Sequence, residues 1–375
     1  MNRTPSSLLA FRAQFPSLTR FSWLDTPGCP PGARPVLDAV RSAVDAWERG
    51  EFSWIEWDDT PELARAKIAR LLGVESSLVA LVSSLSEAAA TVAGAVPDGG
   101  SVVVGSNEFR SNLLPWLAAA ARGVRIVAPV EGSAQTTTER ICASIVEGVD
   151  LVAVSSALSS TGVRPDLEVI SDRARAVGAQ LFLNVTQSFG VLRLDLARIA
   201  PDYVAAHAYK WMLAPRGCAW LYARADRLAA LEPVAPGWHS VDRPNQDYNG
   251  IRALSTEARR LDGGLPWLPW IGGNAALDVL ATLDGGQAET HVLRLARRAR
   301  EGLEELGVVL EGTDRASHIV RMYSPRSQQI LAKLRQNGVV ASGNSHGLRI
   351  GIHAFNIDSD IERFLDGVKG IVGRE

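Results

Sequence analysis

From residue 78 to residue 183, short apolar runs alternate with longer amphipathic stretches. Residues 78–82, 102–104, 124–127, 150–154 and 180–183 read as buried strands. Residues 86–95, 111–122, 138–147 and 166–177, which lie between them, read as helices. The alternation predicts a mostly parallel sheet with helices on both faces. Two further apolar runs, 203–206 and 218–222, predict adjacent strands joined by a loop that carries Pro215 and Gly217. Upstream, residues 21–25 predict a short strand running into a Pro- and Gly-rich turn. A helix follows from Arg34 or Pro35, with Val36, Leu37, Val40 and Val44 as its apolar stripe. The aromatic, acidic stretch 47–60 precedes a second helix over 61–72, and core packing is the simplest role for Phe52, Trp54 and Trp57.

The texture changes near residue 230. Residues 232–269 are rich in Pro, Gly and Trp with little period, and helices are predicted over 273–283 and 287–306. The tail predicts strands at 308–310, 317–322, 339–341 and 347–352 and helices at 326–336 and 358–372. This is a second, smaller α+β lobe. The expected division is a large α/β domain over 30–235 and a small domain made of 1–29 and 236–375.

Composition narrows the function. A formal net charge of −2 over 375 residues leaves no basic footprint for nucleic acid or an anionic membrane. No apolar run reaches ~18 residues, the length a membrane-spanning helix needs, and the first residues lack an apolar signal core. Cys29, Cys142 and Cys218 are odd in number and scattered, and the six histidines form no metal motif. A reduced, cytoplasmic, metal-free enzyme is the expectation.

The loop between the runs at 203–206 and 218–222 holds Lys210, flanked by Tyr209 and Trp211. Burial in such a setting lowers an ammonium's pKa and makes the amine a nucleophile toward an aldehyde. The alternative is a lysine whose stem lies on the aromatics and whose head reaches water. Of 39 Lys plus Arg, only Lys67, Lys210, Lys333 and Lys369 are lysines, and the other three fall on solvated helix faces. A lysine kept in an apolar strand-loop-strand setting points to chemistry.

Parallel sheets bind ligands beyond the carboxyl ends of their strands, and four such ends carry polar or aromatic groups. Ser84, Leu85 and Ser86 open a helix and suit an anion such as phosphate. Phe109 offers an aromatic face. Asn184 and Gln187 follow the strand at 180–183 and can address a ring nitrogen or phenolic oxygen. His207 and Tyr209 flank Lys210 and face a phosphate. Together they describe a pyridoxal 5′-phosphate pocket.

Over nearly its whole length the sequence resembles the fold-type I pyridoxal phosphate enzymes of aminotransferase class V, a group that includes cysteine desulfurases, kynureninase and isopenicillin N epimerase-like proteins. The resemblance lies in Trp23-Leu-Asp-Thr26, in Glu108 through Trp116, in Ser159-Ser-Thr-Gly162 and in Gln187-Ser-Phe-Gly190. It continues in Tyr209-Lys210-Trp211, in Ala258 through Pro266, and in Leu348 through Asn356. It implies a Schiff base on Lys210, a substrate carboxylate held by Arg349, and a homodimer with active sites at the subunit interface.

Departures from the family pattern are equally informative. Asn184 stands where the family has an aspartate that keeps the pyridine nitrogen protonated, so a weaker electron sink is expected. Phe109 replaces the stacking histidine, His207 a serine, Tyr209 a histidine, and Leu265 a threonine. Residues 339–347 lack the cysteine that a desulfurase needs. The expected chemistry is lyase-like, at the α- or β-carbon of an amino acid or its conjugate, in specialised metabolism. Transamination or epimerisation, or a non-catalytic binding protein on the same fold, are the alternatives.

Overall fold

The computed structural model describes residues 4–129, 135–242 and 249–372. A seven-stranded sheet runs in the order Val79–Val82, Ala219–Ala223, Tyr203–His207, Gln180–Asn184, Leu151–Ser155, Ser101–Val104 and Arg125–Val127. Only Ala219–Ala223 runs antiparallel to its neighbours. Its strands are almost wholly buried on both faces, which is why they appear in the sequence as continuous rather than alternating apolar runs. Side chains of one face join a core containing Leu81, Val103, Val152, Leu183 and Trp220; those of the other join Val82, Val104, Phe182, Tyr203 and Leu221.

A four-stranded antiparallel sheet follows in the C-terminal part: Ser342–Asn344, Gly347–Gly351, Ile319–Tyr323 and Val309–Leu310. Gly285–Glu305, Ser327–Gln336 and Asp358–Val372 cover it with apolar stripes that include Leu295, Leu334 and Phe364. The N-terminal strand Ser22–Trp23 pairs in parallel with Val339–Val340, so the start of the chain is tied to its C-terminal part.

Three of the longer helices differ from the sequence expectation. Ser6–Ala13 is helical, held by Phe11 and Phe15 against His353 and Phe355 and by the Arg12–Asp360 ion pair at 2.8 Å. Sequence pattern alone gave eight residues no reason to coil; distant partners do. The second long helix starts at Trp54 rather than 61, capped by Ser53, whose hydroxyl accepts from Glu56 N–H. Pro61 lies inside this helix instead of opening it, and the Thr60 hydroxyl donates to the Glu56 carbonyl in the same turn. The helix expected at 273 starts at Trp267 and packs on Arg34–Arg49 and Trp54–Leu72. The nearby aromatics form their own cluster, with Phe52 stacked on Trp57 at 4.7 Å and Trp57 edge-on to Trp267 at 5.9 Å.

No helix among the described residues is long and apolar enough to cross a membrane.

Candidate active site

Three parallel strands end together because their register is fixed. Ser155 pairs with Asn184, and Asn184 with Ala205, which places Ser155, Asn184 and His207 along one edge. The chain turns out of that edge into the loop carrying Lys210. Ala208 N–H donates to the Cys218 carbonyl at 2.9 Å and Ala214 N–H to the Ala208 carbonyl at 3.1 Å, so the loop is closed at its base. Leu213 adopts φ of 64°, an uncommon conformation for a leucine, and its N–H donates to the Lys210 carbonyl at 3.1 Å.

Trp211 anchors this loop. Its ring is fully buried, and its indole N–H donates to Gln187 Oε1 at 2.8 Å. The Trp211 carbonyl faces His353 Nε2 at 3.1 Å, and since His353 Nδ1 accepts from Ala354 N–H, Nε2 carries the hydrogen. Gly190, at φ of 113°, passes so close to that carbonyl that a Cβ would collide with it.

Lys210 is only 4% exposed. Its amine stands 5.2 Å from the centre of the Phe109 ring and 5.7 Å from that of Tyr209. Burial, aided by the charge of Arg349, lowers its pKa to about 8, while Asp25 and Cys29 oppose the shift. Phe109 itself is 45% exposed, its ring presented at the start of Arg110–Ala119.

At one end of the site, Ser84 caps the helix Leu85–Gly94 by accepting from Glu87 N–H at 3.1 Å. The Glu87 carboxylate reaches back to Ser83, accepting from its N–H at 2.9 Å and from its hydroxyl. Leu85 contributes only its backbone, its side chain being buried in the core; its N–H donates to His207 Nε2 at 3.3 Å. His207 is therefore the tautomer with hydrogen on Nδ1, and that buried Nδ1–H has no partner among the described residues. Burial, with Lys210 and Arg216 nearby, holds the imidazole neutral with a pKa of about 4. A helix N-terminus beside an unpaired buried donor fits a phosphate. Ser86 lies half-buried in the first helical turn.

At the opposite end, Asn184 is 4% exposed, with Nδ2 donating to Ser155 Oγ at 2.8 Å and Oδ1 accepting from Thr186 N–H at 3.0 Å. Ser155 is in turn bonded to the buried Glu108 carboxylate. Gln187 donates from Nε2 to Ser159 Oγ at 2.8 Å and to the Pro27 carbonyl at 3.1 Å. With Oε1 on Trp211, its amide is committed within the protein, and contact with a cofactor oxygen would exchange one of these donations.

Arg349 enters from the antiparallel sheet, opposite Ser342 and Arg321. It donates to the Ser159 carbonyl and, at 3.1 Å, to Ser342 Oγ, and lies 3.5 Å from Asp25 Oδ1. Its buried Nε has no partner among the described residues. Burial lowers its pKa from the usual arginine value, with Asp25 opposing. Lys210 thus lies near Phe109, Tyr209 and the charge of Arg349, with His207 against Tyr209 and Ser159 against Arg349, while Asn184 ends the neighbouring strand. On the side of Tyr209, a cleft of ≈ 630 Å³ is lined by Cys29, Leu37, Val40, Tyr209 and Pro215.

The sequence pattern did not single out Asp25 or Glu108 as functional, because each acts through a partner far away in the chain, and Glu87, bonded to Ser83 four residues back, reads only as part of a helix start. His346, by contrast, sits exposed at a hairpin turn. Leu265 is buried, and neighbouring Gly263 lies against the Glu87 carboxylate of its own chain. No cluster of three or more potential metal ligands occurs among the described residues.

A model of the aminotransferase class V family matches residues 55–364, most of the chain. The chain belongs to that family. A probable cysteine desulfurase of Methanothermobacter thermautotrophicus is 27% identical over 97% of this chain and 86% of its own length. An isopenicillin N epimerase of Amycolatopsis lactamdurans is 25% identical over 92% and 94%. Among solved structures, a variant of the enzyme C-DES with glycine covalently linked to its pyridoxal phosphate superposes with a TM-score of 0.85. It covers 95% of this chain and 98% of its own at 20% identity, a likeness of fold. The family is one of pyridoxal phosphate-dependent enzymes that act on amino acids.

Proposed function

We propose that the chain binds pyridoxal phosphate through Lys210 and catalyses a lyase-like reaction at the α- or β-carbon of an amino acid or amino-acid conjugate. The reaction is β-elimination with C–S cleavage or a decarboxylating deamination, in specialised metabolism. The working form is a cytoplasmic homodimer. The observation that carries this reading is the buried Lys210 amine, lowered to a pKa of about 8 and facing the Phe109 ring.

When bound, pyridoxal phosphate supplies an aldehyde that couples to amines and a ring that delocalises charge from the adjoining carbon. The unpaired Nδ1–H of His207 and the first turn of Leu85–Gly94 would hold the phosphate, with Ser84, Ser86 and Tyr209 at its edge. Phe109 would cover the ring, and Asn184 would offer its amide to the ring nitrogen. Ser159 and Gln187 brace the side of the pocket nearest Arg349. Arg349 binds the substrate carboxylate, its unpaired Nε offering a donor already directed by Ser159 and Ser342.

Lys210 moves the protons. With a pKa of about 8, about a tenth of the amine is neutral at pH 7. Once the substrate's amino group has taken its place on the cofactor, the freed Lys210 amine would take the proton from the substrate's Cα. Phe109 has no titratable group, so no second base faces Lys210 across the ring, and loss of a β-substituent needs none. Sulfur transfer through a persulfide finds no support. Residues 339–347 carry no cysteine, Cys218 is fully buried and Cys142 sits on the helix Thr137–Ser144; Cys29 lies near enough to Lys210 for the two to interact, but burial raises its thiol pKa, away from the thiolate.

Absorbance of the purified holoprotein tests cofactor attachment, with a borohydride-sensitive band near ~420 nm expected. S-substituted amino acids should then release a keto acid and ammonia in equal amounts. Sustained amino transfer to an added keto acid would overturn the lyase reading.

A further inference from the structure

Three buried polar side chains form one hydrogen-bonded line across the ends of neighbouring strands. Glu108 follows the strand Ser101–Val104, Ser155 ends the next strand, and Asn184 ends the one after it, in register with Ser155. Ser155 N–H donates to one Glu108 oxygen at 2.6 Å and its hydroxyl donates to the other. Asn184 Nδ2 donates to Ser155 Oγ at 2.8 Å, and Thr186 N–H donates to Asn184 Oδ1 at 3.0 Å.

The direction of the line is forced. A backbone N–H only donates, so Oδ1 must face Thr186. The single Ser155 hydroxyl hydrogen goes to a carboxylate, which leaves Oγ to accept from Nδ2. Turning the amide over would break both bonds. Each donation strengthens the next: the carboxylate draws on the Ser155 hydroxyl, the hydroxyl oxygen draws on Nδ2–H, and electron density shifts toward Oδ1. Glu108 is 7% exposed, so water screens this effect little. Burial raises its carboxyl pKa, and Asn112, the two donations from Ser155 and the Phe109 N–H oppose that rise.

We propose that Glu108 is a positioning residue which, through Ser155, orients and polarises the Asn184 amide so that Oδ1 accepts a hydrogen bond from a protonated ring nitrogen of the cofactor. The inference rests on the ring placement proposed above. The carboxylate missing at position 184 is thus retained at one remove, and the electron sink is stronger than an isolated asparagine would give.

The test is the ¹⁵N resonance of the ring nitrogen in holoprotein loaded with ¹⁵N-labelled pyridoxal phosphate, recorded at one pH. Glu108→Gln keeps the shape but puts an amide where the hydroxyl needs an acceptor. It should lower the ratio of protonated to unprotonated nitrogen about tenfold, equivalent to about one pKa unit. Ser155→Ala should move the signal the same way. With Asn184→Asp present, a carboxylate meets the nitrogen directly, and adding Glu108→Gln should leave the signal in place. A merely structural Glu108 would lower the melting temperature equally in both backgrounds without moving the resonance. An unmoved signal in Glu108→Gln and Ser155→Ala, or an equal displacement beside Asn184→Asp, overturns the proposal. If Glu108→Gln fails to fold, Ser155→Ala decides. If the wild-type protein forms no borohydride-sensitive band, the cofactor reading fails instead.

Discussion

Lys210 and Arg349 are two cations close enough to interact, and the parts of the molecule that carry them treat charge in opposite ways. Lys210 leaves the central sheet in a loop whose anchors are neutral: the Gln187 amide, the His353 ring and a close glycine. Burial dominates there, and the amine falls to about 8. Arg349 leaves the antiparallel sheet among oxygen acceptors, including the Asp25 carboxylate at 3.5 Å. Burial lowers it too, but a guanidinium starts so high that it stays charged. Each also acts on the other, since Arg349's charge helps lower the Lys210 pKa. Similar burial thus separates a nucleophile from a fixed charge because the two groups begin several pKa units apart.

Several substitutions would break or sharpen this contrast. Lys210→Ala has the largest expected effect, removing the absorbance band near ~420 nm and lowering turnover by about 10³-fold or more. Circular dichroism should be unchanged, because the amine supports no other side chain. Gly190→Ala attacks the Lys210 side alone: a Cβ at φ of 113° meets the Trp211 carbonyl. It should cost about 3 kcal/mol in denaturant unfolding and impair cofactor attachment more than substrate affinity.

Arg349→Lys attacks the other side, keeping the charge and losing the planar fork. KM should rise about 10- to 100-fold, with kcat changed less, and steady-state kinetics separates the two. Asp25→Asn is the subtlest, because Asp25 raises the pKa of both cations. The neutral amine is the form that attacks an aldehyde, so the rate of cofactor uptake by apoprotein should climb as pH rises through about 8. In Asp25→Asn that profile should move to lower pH by less than about one unit. A move to higher pH would mean that Asp25 does not favour the charged amine.

Much of the scaffold was legible because it is local. Each strand of the central sheet is a short apolar run, and helix starts carry their own signals, such as Ser84 and Asp166 as caps. Lys210 was legible because so few lysines occur and because apolar runs flank it. The start of Trp54–Leu72 was misplaced because Pro61 looks like a first-turn proline, whereas the helix carries it internally. The strand Ser342–Asn344 escaped notice because Ser, Gly and Asn have no strand preference; its pairing with Gly347–Gly351 makes it one.

The sequence by itself determined the parallel sheet, the lysine loop between two buried strands, and the residues at strand ends, because periodicity and turn chemistry act over a few residues. Tertiary structure alone decided the state of those groups. It withdrew Lys210 from water, left Nδ1 of His207 unpaired, set Asp25 beside Arg349 and strung Glu108, Ser155 and Asn184 on one line. Desolvation and hydrogen-bond direction depend on neighbours that are tens to hundreds of positions away along the chain, and only folding brings them together.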